Sequence, residues 1–172
     1  MTAAGHPHAE PGWVHHLPHE PNLVTPPGDG AFSLRLPDGS EQSVTVADLQ
    51  RMPATGVPDC YIVSTGHGTS GPFHFVGVTL AEFLRRVLPE TLAWRHVDVV
   101  SVDGFGTRLL PDDLDLQASL RPALLAYAVD GAPLTRARGL VRLIVPAERD
   151  DALRQVKWVS VIAVAAAESK ET

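Results

Sequence analysis

"LLAYAVDGAPLTRARGLVRLIVP", residues 124–146, decides how this chain folds. Leu124 to Val129 is an apolar run too short for a helix, and it closes on Asp130-Gly131, a strong turn pair. Leu140 to Pro146 is a second apolar run, ended by proline. Both read as buried strands, so this half of the chain builds sheet rather than helix.

Working outward, the pattern repeats. Residues 59–65 form a β-branched run expected to be a buried strand, and Val97 to Gly106 is a strand ending in the Asp103-Gly104 turn. Thr107 to Leu110 reads as a short strand and Val156 to Ala165 as a longer one, the latter set off by a charged loop at 147–155. Phe32 to Leu36 and Gln42 to Val46 alternate apolar and polar around "PDGS", a hairpin signal. The clearest helix is "TLAEFLRRVLP", where Thr79 and Glu82 make a capping-box pattern. Leu80, Phe83, Leu84, Val87 and Leu88 share one face of it, and Pro89 stops it. A shorter helix is expected after Thr45, with Asp48 as its third residue, whereas 111–120 reads as an irregular or weakly helical link. The fold class is therefore α+β, with mixed β-sheets and few helices. A Pro/His-rich arm (1–30) precedes one domain (31–166), and a polar tail (167–172) follows it.

Composition narrows the function. The 172 residues suit a single domain with a sizeable core, at 44% hydrophobic and 20% charged. A net charge of −6 argues against a nucleic-acid binder, which needs clustered Lys and Arg. No apolar run approaches the roughly 18 to 20 residues of a membrane span. The opening "MTAAGHPHAEPGW" has no basic n-region followed by an apolar stretch and no twin arginine, so the expected location is the cytoplasm. A single cysteine, Cys60, excludes an intramolecular disulfide and a Cys-rich zinc site.

Five segments, in order, carry a family resemblance: "FVGVTLAEFL" (75–84), "SVDGF" (101–105), "LLAYAVDGAPL" (124–134), "GLVRLIVP" (139–146) and "VKWVSVIAV" (156–164). "VTVADL" (44–49) adds to them. Together they resemble the molybdopterin-binding oxidoreductase domain of the sulfite oxidase superfamily, over about residues 32 to 165. The resemblance implies mixed sheets cradling molybdopterin, with Arg142 and Lys157 near its polar groups. A phosphate dianion suits an arginine fork and a lysine point charge. The resemblance also implies a small-molecule substrate and, since no haem, flavin or nicotinamide signature is present, a separate electron-transfer partner. A homo-oligomer is left open.

The chain departs from the family at the metal. The family's thiolate sits in a pattern of the type "C-V-T-G-W-S"; here the matching stretch is "V-S-T-G-H-G", residues 63–68. The ligand position falls on Val63, or on Thr65 if counted back from Phe75 and Gly77. Cys60 lies three residues upstream of Val63, an odd offset that turns it to the other face of a regular strand. Cys60 is thus either a buried small hydrophobe or a metal ligand brought round by a bulge. The cofactor is accordingly either held through pterin and phosphate contacts alone or lost altogether. In the second case the old cleft would bind or transform a small molecule by acid–base chemistry.

Histidines supply the remaining candidates. His67 and His74 flank "GTSGPF", expected to be a flexible loop, and are acid–base candidates beside Asp103, while Thr65 is a cofactor-binding candidate. In the arm, "HHLPHE" offers His15, His16, His19 and Glu20 either to a metal ion or simply to solvent.

Overall fold

A computed structural model describes residues 10–15, 28–64, 68–117, 121–148 and 154–168. Among these residues ten strands form two sheets. The first joins β1 (Phe32–Arg35), β2 (Glu41–Val44), β5 (Trp94–Ser101), β6 (Gly106–Leu109) and β10 (Val159–Ala166) in the order β2-β1-β10-β5-β6. Its one parallel pair is β1 with β10, Leu34 opposite Ile162. The second sheet runs from β3 (Thr55–Ser64) through β4 (Gly68–Thr79) to β7 (Leu124–Val129). On the far edge of β7 lie β8 (Ala132–Pro133) and β9 (Arg142–Ile144). Strands alternating with few helices confirm the α+β class.

The helices are α1 (Val46–Gln50), α2 (Leu80–Val87) and α3 (Pro111–Gln117). Thr45 closes a full capping box with Asp48, its hydroxyl accepting from Asp48 N and its own N–H donating to Asp48 Oδ2 at 2.9 Å. Only half of that device is present at α2. Thr79 Oγ1 accepts from Glu82 N at 3.1 Å, but the Glu82 carboxylate turns outward to Arg85 and Arg86. Two arginines within one turn draw that carboxylate from the backbone and hold its pKa down to about 2. The link at 111–117 is a regular helix, since Leu110 N donates to Asp113 Oδ2 at 2.7 Å and fixes its first turn.

The main core lies between the sheets, where α2 packs Leu80, Phe83 and Leu84 inward and the Phe83 ring meets Phe32 at 5.9 Å. A second apolar cluster, formed by Val57, Cys60, Phe75, Leu124, Ala126, Val129, Leu134 and Ile144, fills the other face of the second sheet. Arg121 closes it by donating to Asp59 O at 3.0 Å and Pro146 O at 3.3 Å, which folds β3 over the β7–β9 face.

The stretch expected to be a loop, "GTSGPF", is instead the first half of β4, paired with β3 from Ser64↔Gly68 onward. Its side chains from Gly68 to Pro72 are exposed, so the ladder leaves no apolar alternation in the sequence to announce it. Register shifts bracket Cys60. Val57 faces Phe75 but Cys60 faces Phe73, so β3 carries an extra residue at Pro58–Asp59, where Asp59 adopts φ 53°. That bulge places Val57 and Cys60 on the same, core-facing side despite their odd spacing. Beyond it the extra residue belongs to β4, and β3 alternates normally: Cys60 and Ile62 pack inward, while Asp59, Tyr61 and Val63 line an outer groove.

Candidate functional site

Three cationic side chains converge behind β9. A 3-10 turn, Arg136–Arg138, ends on Gly139, whose φ of 111° only glycine adopts without strain. A Cβ there would lie 2.8 Å from Lys157 Cγ and 2.9 Å from Arg142 Cγ. The missing side chain is the clearance through which both cationic stems pass. Opposite, residues 156–159 cross from the second sheet to the first: Val156 bridges Leu143, and Val159 N donates to Val141 O at 3.0 Å. Trp158 between them donates Nε1–H to Arg136 O at 2.7 Å, and its ring lies 4.1 Å from Lys157 Nζ. Arg136 in turn donates to Gly28 O at 2.8 Å. The tryptophan therefore anchors the turn and positions the lysine.

The charges are unbalanced. Arg142 keeps some accessible surface, yet its Nε is sealed from solvent and has no hydrogen-bond partner among the described residues. No carboxylate of those residues forms an ion pair with Arg138, Arg142 or Lys157. Burial, and then the charge of Arg138, push Arg142 down to about 10. Burial, and then Arg142, lower Lys157 as well. Enclosing like charges without a counter-ion is costly, and an incoming anion removes that cost.

Asp103 stands nearby through the backbone: Val102 N donates to Trp158 O at 3.0 Å. The Asp103 carboxylate accepts from Phe105 N at 3.1 Å and so braces its own turn. His74 lies elsewhere. It is exposed, its backbone N–H donates to Asp130 Oδ1 at 2.8 Å, and its ring covers Gly56. None of these contacts reaches the basic cluster. Thr65, His67, His16, His19 and Glu20 lie outside the described residues. His15 is described and sits 3.9 Å from Glu10.

Cys60 is 1% exposed, with its thiol directed at Val57 O (3.4 Å) and Arg121 Nη2 3.7 Å away. Burial pushes the thiol pKa up and Arg121 only partly offsets this, which favours the neutral form. On the outer side of β3, Asp59, Tyr61, Val63 and Thr69 face Arg121, Pro146 and Glu148 across a groove of about 440 Å³. No group of three or more His, Cys, Asp or Glu side chains among the described residues is arranged to hold a metal.

Sequence reasoning did not single out Arg138, Gly139, Trp158 or Arg121. The first three are marked in the chain only by "RARGL" and "KW", and their meeting depends on the crossing of residues 156–159.

Residues 29–172 match the model of a family described as the oxidoreductase molybdopterin binding domain. The chain belongs to that family. Among solved structures it is similar to the sulfane dehydrogenase SoxCD from Paracoccus pantotrophus, with a TM-score of 0.60 at 20% identity. That match covers 82% of this chain but only 40% of the SoxCD chain, so it speaks for the fold. No curated protein matches the sequence.

The residues present divide the cofactor in two. The sealed Arg142 Nε and the Lys157 ammonium, neither with a carboxylate partner among the described residues, fit a phosphate-bearing tail. The family's thiolate ligand does not fit: the chain's only sulfhydryl is inside the second core.

Proposed function

We propose that the chain holds molybdopterin by its phosphate at Arg138, Arg142 and Lys157, and serves as the cofactor-binding part of an oxidoreductase acting on a small molecule. The observation that carries this reading is the sealed Arg142 Nε, with neither a hydrogen-bond partner nor a counter-ion for Arg142 among the described residues. Arg142 offers a planar fork to phosphate oxygens, and Lys157 adds a point charge held in place by Trp158. Arg138, exposed at the rim, draws the anion in, and Gly139 leaves room for the stems of Arg142 and Lys157 to reach it. When bound, such a cofactor supplies the two-electron chemistry that side chains lack.

The groove beside Val63 has the dimensions of a small-molecule site, and Arg121 offers it a cationic wall. His67, His74 and Asp103 enter the reading as proton-transfer candidates and Thr65 as a cofactor contact. In this reading electrons pass to a separate electron-transfer partner.

The test is to express the protein in a host that makes the cofactor, denature it, and measure released pterin fluorescence. Pterin in the wild type and at least a tenfold loss in Arg142→Met are expected. A wild type without pterin overturns the reading.

A further inference from the structure

The disagreement at the metal concerns this chain's own residues. Cys60 is its only thiol, and three features keep it from the outer side of β3. The bulge at Pro58–Asp59 turns it inward, it belongs to the apolar cluster that holds Phe75, Leu134 and Ile144, and its thiol donates to Val57 O and Pro58 O. Bringing the sulfur outward requires removing that bulge, which would set Cys60 and Val57 on opposite faces and carry Ile62 out of the core along with Cys60. Of the two positions that match the family's cysteine, Val63 faces the groove but has no lone pair to donate, and Thr65 lies outside the described residues. The anion cradle, by contrast, is complete without Cys60: none of the contacts among Arg136, Gly139, Arg142, Lys157 and Trp158 involves β3.

Resting on the reading above, we propose that this chain retains its cofactor through the phosphate cradle with no protein sulfur bound to the metal, and that Cys60 serves as core packing. Charge-assisted hydrogen bonds to an enclosed phosphate are the strong class of such contacts and give retention a source other than a thiolate bond.

The experiment compares wild type, Cys60→Ala, Cys60→Val and Arg142→Met from the cofactor-producing host. It measures pterin per folded protein and molybdenum-edge X-ray absorption. Pterin in both Cys60 variants within twofold of wild type is expected, whether or not molybdenum accompanies it, with at least a tenfold loss in Arg142→Met. No sulfur beyond the pterin's own pair should scatter. A tenfold loss of pterin in a folded Cys60 variant, or a further sulfur at the metal, overturns the proposal and leaves phosphate binding standing. If neither Cys60 variant folds, the sulfur count on the wild type decides. A wild type that holds no pterin overturns both readings together.

Discussion

The stems of Arg142 and Lys157 meet over Gly139, so closely that a single added Cβ would stand 2.9 Å from one and 2.8 Å from the other. Two cations brought this near, with no carboxylate among the described residues pairing with either, carry a cost that a bound anion would relieve.

Gly139→Ala therefore costs stability twice, through φ 111° and through the two clashes. A loss of about 1–3 kcal/mol is expected in denaturant unfolding. Phosphate should no longer raise the melting temperature of the variant.

Arg142→Met gives the opposite sign. In anion-free buffer it removes an enclosed charge and keeps most of the volume, so stability should rise by about 1 kcal/mol. The thermal shift that pyrophosphate gives the wild type should vanish. A variant no more stable than the wild type, with both responding equally to pyrophosphate, would count against the cradle.

The same residue sets a pH dependence. Arg142 is pushed down to about 10, so at higher pH the unfolded chain binds more protons than the folded one and stability rises with pH there. Below that pKa the full cost of the buried charge is present. The stability advantage of Arg142→Met should thus shrink as pH climbs through about 10 towards the ordinary arginine range. Paired unfolding curves across that window check it.

Cys60, at 1% exposure and with its thiol pKa raised by burial, should resist a disulfide reagent in the native state and react only on unfolding. Thiol titration with and without denaturant measures this, and rapid native reaction would show the sulfur to be accessible.

At α2, Thr79→Ala removes the acceptor for Glu82 N and should cost about 1 kcal/mol. The Glu82 carboxylate, held to about 2 by Arg85 and Arg86, gives stability that is present above the ordinary glutamate range and lost as pH falls towards 2. An NMR titration placing Glu82 in the ordinary range would contradict those pairings.

Much of this arrangement is legible in the chain. The runs at 124–129 and 140–146, with the Asp130-Gly131 turn between them, announce β7 and β9, because buried strands need apolar runs and tight turns need glycine. The odd spacing of Cys60 and Val63 predicts opposite faces, and β3 alternates accordingly from Asp59 to Val63. The Pro58–Asp59 bulge is not legible, since a positive φ at an aspartate leaves no compositional mark. Neither is the first half of β4, whose exposed Gly, Ser and Thr pair by backbone alone. The approach of Lys157 to Arg142 is implied only by the family resemblance: it is made by a crossover between sheets, and periodicity reports faces rather than neighbours.

The most direct measurement is a crystal structure of the protein purified from a cofactor-producing host. The account predicts a phosphate within hydrogen-bond distance of Arg142 and Lys157, beside Gly139. A pterin phosphate bound elsewhere, with Arg142 paired instead to a carboxylate of the chain, would contradict it.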